Sequence, residues 1–236
     1  MRGCLSFLVF AALLIAVGLW FALPTAAAGL VGITLSAAGF EGQDTQVVVV
    51  ADPPFELLSG HADRVSISAA EVRSGSLAAA SVDLDLTDLD LVARTARSTT
   101  GRLDDVTVTS ASGGSLRIRR IDIAGPTDRA RATLVIDEAE LAERVLDAIS
   151  SAGAAVTKVS VDPPDALVVE VLGQRARARL SVGTAGVIEL TLPAIGPIPV
   201  VAPPPDLGAT FDSVSVAADH SLVIDATMDL RSLLTG

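Results

Sequence analysis

The chain has no tyrosine, one tryptophan and six phenylalanines, so only 3% of its 236 residues are aromatic. Phe7, Phe10, Trp20 and Phe21 lie close to the N-terminus, leaving Phe40, Phe55 and Phe211 for everything after. Such a chain lacks the aromatic platforms that stack on bases. Its net charge of −11 would repel a phosphate backbone, so nucleic acid is excluded as a partner. Cys4 is the only cysteine, and His61 and His220 are the only histidines. No disulfide framework and no Cys/His zinc set can be assembled from them. Neither a metal nor another cofactor is expected. A Ser-His-Asp triad has no G-x-S-x-G elbow to support it, and no catalytic residue is assigned. The chain reads as a protein that is not an enzyme.

What is present is apolar, and half of the residues are hydrophobic. Cys4 to Leu23 carries no charge, follows Arg2 and stops at Pro24. As a helix this run would span about 30 Å, the thickness of a bilayer core. Residues 1–23 are therefore expected to be a signal anchor or transmembrane helix. Arg2 places the N-terminus inside and residues 24–236 outside the plasma membrane. The run "TAAAG" also offers an Ala26-x-Ala28 cleavage site, which would release the chain to the cell envelope.

Residues 24–236 are expected to form one domain of α+β class. Pro24 to about Ala38 reads as a helix with Pro at its first position and Ala26, Leu30, Ile33 and Ala37 on one face. A second helix opens at Asp137 with Glu140 as a capping box, repeats Leu141, Val145, Ala148, Ile149 and Ala152, and ends at Gly153. Nearly everything else alternates at period two between short turns, which predicts a mainly antiparallel sheet. The order helix, strand, Asp-Pro-Pro, strand occurs twice, at Asp52-Pro53-Pro54 and at Asp162-Pro163-Pro164. Internal halves at 24–136 and 137–236 are consistent with that, and so is a chance match of three residues.

The segment "SVDLDLTDLDLV" resembles the start of a calcium loop. It lacks the turn glycine, and Arg94 stands where the bidentate glutamate should be. Its leucines change parity instead, from Leu84 and Leu86 to Leu89 and Leu91. "SLRIRRIDI" does the same, from Leu116 and Ile118 to Ile121 and Ile123. An extra residue in a bulge produces that slip and bends the strand. The expected architecture is a strongly curved sheet wrapped around two helices, with the aspartates outside and the leucines inside. Arginines 117 and 119, 129 and 131, and 175, 177 and 179 each share a strand face. They are read as partners of outer-face aspartates, or as a headgroup phosphate site.

A curved aliphatic sheet can enclose an acyl chain, or its helices can fill the space and leave a dry core. Two apolar segments could form lips at a membrane. One contains Phe55, Leu57 and Leu58; the other contains Ile195, Ile198, Val200 and Val201 in "LPAIGPIPVVAPPPDL", or packs as an edge of the sheet. Candidate lipid-contacting residues are Phe55, Leu57 and Leu58, the helix face Leu141, Val145 and Ile149, and Ile195 and Ile198.

The order of "PPFELLSGHADRVSI", "LAAASVDLDLTDLDL", "ATLVIDEAELAERVLDAI", "IELTLPAIGPIP" and "VSVAADHSLVIDA" resembles the LmeA-like phospholipid-binding family of actinobacterial cell envelopes. The resemblance spans about residues 24–230. Its P-F-x-x-L-x-x-G element corresponds to Pro54, Phe55, Leu58 and Gly60, followed by the strand of Val65 and Ile67. It implies a domain similar in shape to tubular lipid-binding proteins, on the outer side of the plasma membrane. It also implies phospholipid or another acyl lipid as ligand and a part in envelope lipid or lipoglycan homeostasis. The expected function is short-range lipid binding or transfer. A non-catalytic envelope scaffold with a dry core is the alternative. A lipid-modifying enzyme would need His61 or His220 to meet an acidic pair inside a pocket. The sequence names no protein partner.

Overall fold

A computed structural model describes residues 22–33, 35–37, 39–93, 95–109, 115–151, 156–163, 166–171, 174–184, 186–192, 196–203 and 208–231. The expected span Cys4–Leu23 therefore lies outside the described residues except for its last two. Among the described residues, no helix is long and apolar enough to cross a membrane.

The class is α+β with antiparallel sheets. Helix α1 covers residues 22–33 and 35–37. It is followed by β1 (Glu41–Val50), a 3-10 turn (Pro54–Ser59), β2 (His61–Ser74), β3 (Leu77–Asp90), β4 (Thr95–Thr109), β5 (Ser115–Gly125) and β6 (Ala130–Ile136). Helix α2 (Glu138–Ser151) leads into β7 (Val156–Asp162), β8 (Ala166–Val171), β9 (Gln174–Val182), β10 (Ile188–Leu192) and β11 (Gly196–Val201). The chain then returns through β12 (Ala209–Val216) and β13 (Leu222–Met228). One sheet has the order β1-β2-β3-β4-β5-β6-β13-β12, and the other β11-β10-β9-β8-β7. The larger sheet is not a closed barrel, since β1 and β12 remain its edges.

The long strands keep one buried face by switching parity along it. In β2 the buried positions run Ala62, then Val65, Ile67 and Ala69, then Val72. In β3 they run Ala79, then Val82 with half-buried Leu84 and Leu86, then Leu89. In β5 they pass from Ile118 to Ile121. Glu71, Asp88 and Asp105 hold positive φ of 49°, 55° and 49° at these switches. The ladder breaks at Glu71 opposite Ala80, at Asp105 opposite Ala80 and Arg119, and at Asp63 opposite Asp88. Register is the same on both sides of each break, because each irregularity faces its neighbour's. The parity changes expected at Thr87/Asp88 and Arg119/Arg120 are there, but not the extra residue of a bulge: no strand gains a residue on its neighbour, and the irregularities form rows that cross adjacent strands.

Two apolar clusters line this face. The larger joins β2–β6, β13 and β12 to the second sheet and α2, with Leu141, Val145, Ile149, Leu167, Ile188, Leu190 and Ile224 buried. Each such side chain contributes about 1.5–3 kcal/mol when fully buried. The smaller holds Val49, Ala62, Val65, Ile67, Leu89 and Ala96 under Ala27, Ala28, Val31 and Leu35 of α1. The expected face of α1 is thus rotated, since Leu30 and Ile33 are 64% and 67% exposed. Small residues let this helix approach the sheet, whereas bulk alone would have chosen the other face. Pro24 sits inside the described helix, not at its first residue.

At α2, the Asp137 carbonyl accepts from the Leu141 N–H at 3.0 Å, while the Asp137 side chain pairs with Arg119 at 3.1 Å. The Glu140 carboxylate takes Arg117 N–H and Arg144 Nε, each at 3.2 Å. It does not reach back to the helix start as the capping box required, because these competing donors face it. Gly153, the expected stop, lies outside the described residues. Gly196–Val201 pairs with β10 as an edge strand, where its prolines cost no central ladder bond. Ile198 and Val201 are buried there, so the lip expected from them is not formed, since their side chains complete the core.

The outer face is laced by ion pairs. Arg64 and Asp85, Arg97 and Asp88, Arg102 and Asp122, Arg117 and Asp105, and Arg177 and Asp162 lie 2.9–3.3 Å apart. Exposed pairs of this kind contribute at most about 1 kcal/mol each. In the β12–β13 turn, the Asp219 carboxylate accepts from Ser221 Oγ at 2.6 Å and Ser221 N–H at 3.2 Å, and meets Arg119 at 3.2 Å. These donors, Ser221 first and Arg119 after, hold its carboxyl down to about 2.

Two outcomes follow from these placements. Asp105→Gly and Asp105→Val both lose the Arg117 pair, but only valine must be forced into the left-handed backbone. Chemical denaturation should find Asp105→Val less stable than Asp105→Gly by about 1–2 kcal/mol. For Asp219, the folded value lies below the unfolded one of about 3.9, so its stabilisation is complete above that pH and is lost as pH falls towards about 2. Thermal unfolding at stepped pH should therefore show Asp219→Asn losing less stability than the parent chain across that window.

Candidate lipid groove

An open concavity lies between α1 and the start of β1. Ala28, Gly32, Leu35 and Ser36 form the helix side, and Phe40, Glu41, Gly42, Thr45 and Val47 form the sheet side. Its volume is about 640 Å³, within the range of about 300–1,000 Å³ usual for ligand sites. The groove exists because α1 presents small residues here. A Cβ on Gly32 would meet nothing within 4 Å, whereas one on Gly42 would come to 3.1 Å from the Ala69 Cβ. Its lining is part apolar and part polar, with Ser36 Oγ already donating to the Gly32 carbonyl at 3.1 Å. Glu41 is the one ionisable side chain among the lining residues.

A second, interior cavity lies between the two sheets and is lined by apolar residues including Leu116, Ile121, Phe211, Ile224 and Met228. It holds about 40 Å³, room for a few waters at about 10–15 Å³ each and far below the range of about 300–1,000 Å³ usual for ligand sites. No acyl chain fits there with the sheets packed as they are.

The candidate residues do not converge on one place. Leu141, Val145 and Ile149 are buried in the larger cluster, and none of them lines either concavity. Ile198 is buried in β11. Ile195 lies outside the described residues. Leu57 packs against the smaller cluster, while Phe55 and Leu58 project from the 3-10 turn into solvent. The groove residues Leu35, Phe40 and Val47 were passed over by hydrophobicity alone. The usable signal was the small-residue spacing Ala27, Ala28, Val31, Gly32 and Leu35, which marks a helix face suited to close approach.

The histidines are on the surface. His61 Nε2 stands 3.4 Å from Asp88 Oδ1, and His220 Nδ1 stands 3.4 Å from Glu138 Oε2. Glu56, His61 and Asp63 bring possible metal-ligand atoms within 4.8 Å of one another, a trio that sequence spacing did not reveal. Asp63 Oδ2 already accepts the Asp52 N–H at 2.6 Å. Neither histidine lines the groove or the cavity.

The acidic strand is likewise engaged. Hydrogen bonds from Ser66 at 2.5 Å and Arg64 at 3.0 Å lower the Asp85 carboxyl below its ordinary value. The Asp90 carboxylate accepts the Val92 and Ala93 N–H groups at 2.9 and 2.8 Å. Arg175, Arg177 and Arg179 are exposed on β9, away from the groove lining. No family model, curated protein or solved structure matches the chain.

Proposed function

We propose that the chain is a membrane-anchored, extracytoplasmic phospholipid-binding protein that binds lipid or transfers it over short range in the cell envelope. The reading takes residues 1–23 as the anchor and the sheet as a tubular lipid-binding-like frame, and it involves no catalysis. The observation that carries it is the groove of about 640 Å³ between α1 and β1, with Leu35, Phe40 and Val47 on its walls. An acyl chain would lie along those residues. The headgroup phosphate would stay in solvent, since the only charge among the lining residues is that of Glu41.

Energetics favour such a carrier at a membrane. Removing 16 methylenes from water yields about 13 kcal/mol at about 0.8 per group. Taken from a bilayer, the same chain exchanges one hydrocarbon surrounding for another, so the net is near zero. Loading and release are then both accessible, provided the protein remains where lipid is concentrated. Envelope lipid or lipoglycan homeostasis is the role such a carrier would serve. A scaffold with a dry core is the second reading, favoured by the nearly filled space between the sheets.

Native mass spectrometry of the full chain released from detergent, followed by organic extraction, tests the reading. A bound mass that yields phospholipid is the expected result. A bare chain that takes up no lipid from added liposomes would leave the scaffold. Gly32→Phe should fill the groove and abolish uptake. Gly29→Phe, on the exposed side of the same helix, should retain it. Both replacements remove a helical glycine, so helix propensity changes equally, by several tenths of a kcal/mol or more in favour of the helix.

A further inference from the structure

Large apolar side chains in solvent are not scattered over this molecule. Among the described residues they are Leu30 and Ile33 of α1, Val48 and Val50 of β1, Phe55 and Leu58 of the 3-10 turn, and Leu91 and Val92 of the β3–β4 turn. The last four, at 61%, 73%, 39% and 80% exposed, differ from the others in sharing one end of the sheet. They occupy two turns that are fastened side by side. The Leu91 N–H donates to the Gly60 carbonyl at 2.7 Å, and His61 pairs with Asp90 in the ladder. Val92 lies so close over Gly60 that a Cβ there would sit 2.8 Å from its methyl. The Asp90 carboxylate holds the turn amides of Val92 and Ala93. The apolar tip is thus displayed by a hydrogen-bonded frame.

The position of α1 indicates what this tip meets. Leu35 and Ser36 lie beside Glu41 to Thr45, at the start of β1, while α1 also covers the cluster of Val49, Ala62 and Leu89. The helix therefore runs back along β1, and its first described turn heads towards the end where β1 finishes and the tip projects. The uncharged run from Cys4 to Leu23 leads directly into that first turn. A run embedded in a bilayer brings this end of the sheet to the membrane surface. Of the nearby carboxylates, Asp63 is engaged by the Asp52 N–H and Asp88 by Arg97 and His61, while Glu56 lies in the 3-10 turn itself, beside His61 and Asp63. With a net charge of −11, attraction to anionic lipid cannot supply the contact. Apolar insertion can.

We propose that Phe55, Leu58, Leu91 and Val92 form a second contact with the bilayer, inserting at the headgroup–acyl boundary and fixing the domain's orientation against the membrane. The occupant is the lipid surface itself, with no requirement for anionic headgroups. The inference rests on the membrane-anchored reading given above.

The test uses the full chain carrying Trp20→Phe and Val92→Trp, so that the introduced indole is the only one. It is reconstituted into phosphatidylcholine vesicles with brominated acyl chains. The indole should shift to shorter wavelength and lose most of its emission to the bromines. Adding Phe55→Ser and Leu58→Ser should restore emission and expose it to acrylamide, with the far-ultraviolet circular dichroism unchanged. If Val92→Trp does not fold, Leu58→Trp serves as the probe, with Phe55→Ser and Val92→Ser as the disrupting changes. A chain that floats with the vesicles while its indole stays unquenched overturns this inference and leaves the anchor standing. A chain that stays out of the vesicle fraction, unquenched, overturns both. An indole shielded from bromine and acrylamide alike would place the tip against protein and would also overturn it.

Discussion

A strand longer than about a dozen residues cannot bend and still show one face to a core unless its alternation is reset. Here β2 and β3 have 14 residues each and β4 has 15. Resetting one strand alone would slide it against its neighbours by a residue and turn every later side chain outward. The molecule avoids this by placing the resets opposite one another, at Glu71, Ala80, Asp105 and Arg119, and again at Asp63 and Asp88. Pairing resumes in the old register, and the apolar face continues across the break. Both clusters, the seating of both helices and the groove beside α1 depend on that arrangement. Asp88 and Asp105 also tolerate the left-handed backbone there better than bulkier or branched residues would.

Much of the sheet was legible in the chain, because period-two alternation and parity are local properties. Leu84, Leu86 and Leu89 announce a slip without reference to any partner strand, and Leu141, Val145 and Ile149 announce a buried helix face. That several slips share one row was not legible, since the row exists only after the strands pair. The groove was harder still. Its walls come from α1 and the first half of β1, and its space comes from what Ala28 and Gly32 lack. Hydrophobicity ranks residues by what they bury, so it selected Leu30 and Ile33, which the fold leaves in solvent. Glu56, His61 and Asp63 were equally hidden, because a turn and a strand start bring them together.

The two helix-and-strand units contrast in how they use the same order. Each places a helix before an edge strand, β1 or β7, followed by Asp-Pro-Pro. Around α2 the pairing is nearly filled, with Leu141, Val145 and Ile149 removed from solvent and a void of about 40 Å³ between the sheets. Around α1 it is left open. Among the described residues, the large apolar side chains left in solvent all belong to the α1 side, between Leu30 and Val92.

Leu84 is the one described side chain that packs against both clusters. It reaches them by lying across Gly101, its partner on β4, where even a methyl group would come within 2.3 Å of its Cδ2. Side-chain contact between the clusters is thus narrow, although β2, β3 and β4 run through both as one hydrogen-bonded sheet. The described part of α1 packs on the smaller cluster alone, so displacing that helix would cost contacts there and not at the α2 end, as expected of a separate foldon. Insertion of a guest beneath α1 would then leave the larger cluster intact.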